Sequence, residues 1–348
     1  MTLSSIKQAK AYALFRKPHS THYTAIIQRA MPRTFHSIAD VPLTGGYVVV
    51  PFVCDAQCPI LFIEPDEILS LPMSVPCLSV RSDGKEENSD AERSAYAKAF
   101  RAAKEKLASG ELQKVVLSRR KRLTTESQLD PAALFMKACH YRPNSFVALW
   151  HTPQSGTWLV ATPEPLLTYS HRKWNTVALA GTLPWTEEEL PQWNNKNREE
   201  QAIVARFIHD NLTDVATDVK HSGTYTLHSG NIQHLCTDFS FQLPSAEQLH
   251  QVLLRLHPTP AVCGLPRMEA KSTIVSHESS PRRYYAGFSG PLLLDGQTDL
   301  YVSLRCMEFS SHHATLYAGG GIMPESIEQE EWEETERKLE TMAQIIKR

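Results

Sequence analysis

Residues 145–164, SFVALWHTPQSGTWLVATPE, hold two runs rich in β-branched and aromatic residues, SFVALWH and TWLVATPE, on either side of the turn-prone PQSG. Such a pattern reads as a β-hairpin. The same reading applies upstream, where GGYVVVPFV (45–53) and CPILFIEPDEI (58–68) are two β-rich runs joined by a turn-prone connection, so the N-terminal third contributes to a sheet. Helices enter singly between these runs. Ser89 and Glu92 have the spacing of a reciprocal capping box, and Tyr96, Phe100, Ala103 and Leu107 follow as an apolar face. Gly110 can end that helix, after which QKVVLSRR (113–120) reads as a strand beginning at Lys114. Asp130 and Pro131 supply N-cap and first-turn chemistry for a helix through about His140. Strands thus come in adjacent runs and do not alternate strictly with helices, which predicts an α+β sandwich and not a doubly wound sheet.

Composition narrows the partners. The chain has 348 residues, 42% of them hydrophobic, with 36 basic and 38 acidic residues and a formal charge of −2. That is enough for a large core and gives no electrostatic footprint for nucleic acid or an anionic membrane, so a small molecule is the expected partner. The opening MTLSSIKQAKAYALF lacks the apolar core and cleavage site of a secretory signal, and no window reaches about 18 uninterrupted apolar residues. A cytoplasmic location is expected. Seven scattered cysteines argue against a disulfide framework, and Cys54 and Cys58 lack the second ligand pair that zinc requires. LSVRSDGKEENSD (78–90) is polar without apolar periodicity and predicts a solvated loop. It divides residues 1–90, a β-rich portion of the same globular unit, from residues 91–348, where the chemistry-bearing motifs lie.

Three stretches draw attention on physical grounds. In KNREEQAIVARFIHDNL (196–212), Ile203, Val204, Phe207 and Ile208 follow Glu200 at helical spacing and put its carboxylate in line with an apolar stripe, where a lone charge is costly. An exposed first turn is the equally weighted alternative. EQEEWEETERKLETMAQIIKR (328–348) reads as a helix buried through Leu339, Met342, Ile345 and Ile346, with Glu334 and Lys338 one turn apart on its edge. By itself that pair is an ordinary surface ion pair, although two carboxylates on separate helices can hold Mg²⁺. Ahead of it, YAGGGIMPES (317–326) reads as a glycine turn whose backbone can approach a ligand closely.

QKVVLSRR, ATPEPLL (161–167), ALAGTLP (178–184), LHPTPAVCGLPR (256–267), RRYYAGFSG (282–290), YVSLR (301–305) and YAGGGI followed by EEWEETERK (330–338) stand in the order seen in chorismate-utilising enzymes. From about residue 92 to 348 the sequence resembles their isochorismate synthase branch. The resemblance implies an α/β/β/α sandwich of two packed β-sheets flanked by outer helices. It implies Lys114 as the residue that activates water, Glu164 as the general acid, and Glu200 and Glu334 as Mg²⁺ ligands. Gly181, Thr182, His257, Tyr285, Arg305, Gly319, Gly321 and Lys338 match positions that line the substrate site. Four positions depart from the family pattern: Gly320, Cys263, Arg283 and Gln201.

The implied reaction adds water to the chorismate ring beside the carboxyl-bearing carbon and expels the hydroxyl across the ring, giving isochorismate for menaquinone or siderophore synthesis. Lys114 must then act as a neutral amine and Glu164 as a protonated acid. Relatives that use ammonia characteristically carry glutamine at the Lys114 position, and aminodeoxychorismate synthases often carry lysine where this chain has Ala180. Water is therefore the expected nucleophile, with no glutamine amidotransferase subunit and a monomeric protein. Salicylate synthase, which goes on to eliminate pyruvate, is the alternative within the family. A metabolite-binding module without catalysis is the alternative outside it.

Overall fold

The computed structural model describes residues 9–73, 85–87, 89–185, 191–229 and 232–347. Among them, two ten-stranded sheets form, and every described pairing between their strands is antiparallel. Residue parity separates the layers. Along Phe146–Thr152, Phe146, Ala148 and Trp150 face the core shared by the two sheets, where Tyr47, Phe288 and Leu300 of the second sheet meet them. Val147 and Leu149 face the other way, against Phe135, Leu339, Met342 and Ile346 of two helices. This is the period-two alternation of a strand buried on both faces. The fold is therefore α+β, two packed sheets with flanking helices.

The opening hairpin forms as expected: Phe146–Thr152 pairs with Gly156–Thr162, with Trp150 directly opposite Trp158. The two indoles are fully buried and stack with ring centroids 6.0 Å apart, a cross-strand aromatic pair worth more than its area alone. Gly46–Val50 and Ile60–Ile63 also pair. The N-terminal strands lie inside both sheets, Ala11–Arg16 beside Phe146–Thr152 and Gly46–Val50 beside Phe288–Leu292.

Helices Ser89–Ala108 and Pro131–Tyr141 form where they are expected, the second capped as predicted: Asp130 Oδ1 accepts the Ala133 amide at 2.6 Å. The polar stretch 78–90 is not wholly a loop. Lys85–Glu87 adds a short exposed strand to the edge of Lys114–Thr124, and Ser89 already opens the helix. An unpaired sheet edge offers backbone partners that a polar sequence accepts as readily as an apolar one. Residues 78–84 and 88 lie outside the described residues. The six described cysteines are free, and Cys77 lies outside the described residues. No described helix is long and apolar enough to cross a membrane.

Candidate active site

Lys114 begins the strand Lys114–Thr124, whose neighbour is His313–Ile322. YAGGGI is therefore not a turn. Gly319, Gly320 and Gly321 pair with Ser118, Leu117 and Val116 in the ladder, so their amides serve the sheet. What their missing side chains permit is the close approach of other side chains. A Cβ on Gly321 would lie 2.1 Å from Glu200 Oε1 and 3.1 Å from Lys114 Cε, and one on Gly319 would lie 2.7 Å from the Tyr285 hydroxyl. The glycines make room for the charged groups, and the strand keeps its straight register.

Glu200 projects into that space from helix Asn195–Thr213. The buried stripe of this helix runs through Asn197, Gln201, Val204, Ile208 and Leu212, so its centre passes through Gln201 and not Glu200. The Gln201 amide tolerates burial because it donates to Thr237 Oγ1 at 2.7 Å. Glu200 sits on the stripe's edge with 12% of its side chain exposed, 2.9 Å from the Nζ of fully buried Lys114. That contact is a charge pair without an aligned hydrogen bond.

A cavity of about 60 Å³ lies beside this pair. Glu164, Glu200, Arg305 and Lys338 bring charge to it; Gly181, Thr182, Tyr285, Gly319 and Gly321 complete the expected part of its wall. Nine of the twelve residues singled out in the sequence thus share one cavity. Lys114 stands behind Glu200, and Glu334 behind Lys338, whose Nζ it meets at 2.6 Å. His257 is not brought there. Its Nε2 lies 3.2 Å from the Pro51 carbonyl and its ring meets Phe288 edge-on, so it packs at the N-terminal strands and takes no part in the cavity wall.

The histidine that does line the cavity is His234, on strand Ile232–Gln242. Its Nδ1 lies 2.9 Å from the Gly181 carbonyl and its Nε2 3.0 Å from Arg305 Nη2. Arginine can only donate, which assigns the Nδ1–H tautomer: Nδ1 donates to Gly181 and Nε2 accepts from Arg305. Burial, reinforced by the Arg305 charge, pushes its pKa down to about 3, so it remains a neutral acceptor. Burial also lowers Arg305 to about 10, leaving it charged at neutral pH.

Glu164 has the opposite fate. Burial raises its carboxyl from 4.5 to about 7 even though Lys114, Arg305 and Lys338 each favour its charge. It is therefore a carboxyl of nearly balanced protonation at neutral pH, facing the cavity.

The acidic side of the site holds one carboxylate more than the sequence suggested. Glu331, buried on the C-terminal helix, pairs with Lys196 and accepts from Ser326 Oγ at 2.6 Å. Burial and the charge of Glu334 push its pKa up, while Glu334 is held low because Lys338 and Lys196 outweigh its burial. Glu331 Oε2 is buried without a hydrogen-bond partner. Glu200, Glu331 and Glu334 thus each pair with a lysine, and Glu331 keeps one buried oxygen without a partner. Among the described residues no three acidic, histidine or cysteine side chains already gather into a cage. Mg²⁺ usually takes one or two carboxylates plus water and substrate oxygens, so this all-oxygen donor set with an orphaned oxygen fits it. Of the departures from the family pattern, Arg283 pairs with Glu308 away from this cavity, and a Cβ on Gly320 would lie 3.3 Å from Glu331 Oε2. Cys263 is buried, with its thiol 3.7 Å from the Arg267 carbonyl.

The model of a family described as chorismate binding enzyme matches residues 75–347. The chain is 29% identical over 250 residues to isochorismate synthase EntC of Escherichia coli (strain K12), covering 69% of this chain and 63% of that one. It is 31% identical over 268 residues to isochorismate synthase MenF of the same strain, covering 73% and 61%. It thus spans about three fifths of the length of these curated relatives. The crystal structure of DhbC from Bacillus anthracis superposes with a TM-score of 0.82 at 22% identity, covering 99% of each chain.

Proposed function

The chain belongs to the chorismate binding enzyme family, and from that premise we propose that it converts chorismate to isochorismate by adding water and releasing the ring hydroxyl. The observation that carries this reading is Glu164: a buried carboxyl with a pKa near 7, facing the same cavity as two cations, Arg305 and Lys338. A ring acid with two carboxylates needs such cations, and a departing hydroxyl needs such a proton.

Arg305, kept charged and aimed by His234, binds a substrate carboxylate. Lys338 offers a second positive charge. Glu164 in its acid form donates its proton to the leaving hydroxyl as the C–O bond breaks. On the ring carbon beside the carboxyl-bearing carbon, water forms the new C–O bond and loses a proton to the Lys114 amine. The two conjugated ring double bonds each shift by one position, from the attacked carbon toward the carbon that loses its hydroxyl. One water enters and one leaves, and a proton returned from Lys114 to Glu164 resets the pair.

Lys114 performs this step from its neutral amine form, with its Nζ 2.9 Å from the Glu200 carboxylate. Glu200 and Glu334, with Glu331 beside them, are the residues that would hold Mg²⁺. The ion would supply positive charge for the substrate's ring carboxylate and for the crowded glutamates. We place the enzyme in the cytoplasm, acting as a monomer without an amidotransferase subunit, since water is the nucleophile.

Incubating the purified protein with chorismate, with and without Mg²⁺, and identifying products by chromatography and mass spectrometry tests the proposal. Isochorismate formed only with Mg²⁺ is the expected result. Salicylate and pyruvate would mean that elimination follows, and chorismate binding without turnover would reduce the protein to a binding module.

A further inference from the structure

A second cavity, of about 840 Å³, shares no lining residue with the catalytic one, and its size is that of a small-molecule site. It lies on the same face of strand Lys114–Thr124. Val116 faces the catalytic cavity, whereas Arg120 and Arg122, also at even positions, face the larger one. The wall between them is built. Buried Arg282 donates to the carbonyls of Val116 and Val262, each at 2.7 Å, and to Glu278 Oε2 at 2.8 Å. Tyr317 of the larger cavity stacks on Tyr285 of the catalytic one with centroids 5.6 Å apart.

The ligand class follows from which polar groups already have partners. Glu278 is taken by Arg282 and the Ser118 amide, Glu308 by Arg283, and Asp55 by the amides of Gln57 and Cys58. Glu87 accepts from the Thr124 hydroxyl. On the basic side, Arg282 and Arg283 are fully engaged. Arg120 is not: among the described residues its one ion-pair contact, with Glu92, is 3.5 Å long and its Nε is buried without a partner. Arg122 is exposed, and among the described residues it has no ion pair. The donors left without a partner among the described residues thus sit on two neighbouring guanidiniums, with Glu87 opposite Arg122 in the strand pair, and a guanidinium fork suits an oxyanion. Phe52, Val53, Val275 and Pro281 supply an apolar side.

The geometry points to a second binding site in this cavity for a small amphipathic anion, about one ring in size, whose carboxylate or phosphate lies on Arg120 and Arg122. This site is independent of the proposed activity. Ligand-observed NMR titration of the full chain with benzoate and, separately, phenyl phosphate, in metal-free buffer without chorismate, tests it; the probe that binds distinguishes carboxylate from phosphate. Arg122→Ala should weaken binding about tenfold, the scale of one charge-assisted hydrogen bond. Ser279→Trp, which places a ring at the exposed rim, should abolish it, and both variants should turn over chorismate as the unaltered protein does. Arg305→Ala, which alters only the catalytic cavity, should leave probe binding unchanged. Absence of binding by both probes, equal binding by Arg122→Ala, or loss of binding in Arg305→Ala alone overturns the assignment.

Discussion

Glu164→Gln should stabilise the folded protein at pH 8 while destroying its chemistry. In the native state the carboxyl titrates near 7, against an ordinary 4.5. Between those values the folded chain binds more protons at this position than the unfolded chain, so stability falls as pH rises through the window. The cost of holding the carboxylate in the fold is at most about 1 kcal/mol at pH 5 and about 3 kcal/mol at pH 8, at 1.36 kcal/mol per pH unit of displacement. Glutamine fills nearly the same volume and never ionises, so it removes this pH-dependent cost. Urea denaturation of both proteins at pH 5 and pH 8, in metal-free buffer, should show the variant gaining about 2 kcal/mol relative to the parent over that interval. A stability difference that does not change with pH would mean that Glu164 titrates as an ordinary surface carboxylate. The acid role would then lose its physical basis.

Lys114→Ala should abolish isochorismate formation in a single-turnover assay while calorimetry still detects chorismate binding, because Arg305 and Lys338 remain; near-normal turnover would transfer water activation to another group. Glu200→Gln and Glu334→Gln should each lower Mg²⁺-dependent activity by orders of magnitude with unchanged circular dichroism, and full activity in both would reject them as metal ligands. His234→Ala removes the acceptor that aims Arg305, so chorismate KM should rise about tenfold, the scale of one charge-assisted contact, with a smaller change in kcat. An unchanged KM would show that Arg305 holds its position without the imidazole.

The layers were legible because each rests on local chemistry. Trp150 and Trp158 sit in a hairpin that period and turn residues announce, and Asp130 with Pro131 caps its helix through contacts no more than three residues long. Register between distant strands has no such local signature. The glycine run looked like a turn because three consecutive glycines are what a turn would use. In the fold they are a strand interior, and the reason for them lies on another helix, in the Glu200 carboxylate that occupies the space above Gly321.

The histidines carry the same lesson into the site. His257 stands in LHPTPAVCG, a stretch marked by prolines and glycine, whereas His234 stands in the unremarkable strand NIQHLCTDF. Only the pairing of that strand with Lys173–Pro184 sets His234 against Thr182, and only then do Gly181 and Arg305 fix its tautomer. Glu331 was hidden for a related reason. In EEWEETERK it is one of five glutamates, and helical spacing alone does not say which of them lose water. The fold selects by burial: Glu331 and Glu334 lie one turn apart facing Lys196 and Lys338, while the Glu336 side chain, 41% exposed, pairs with Arg119 and Lys121. A sequence records how many carboxylates are present, but the chemistry depends on which become too expensive to leave without a cation. That selection is made by the neighbouring strand, whose three glycines leave no side chain between the acids and the cavity.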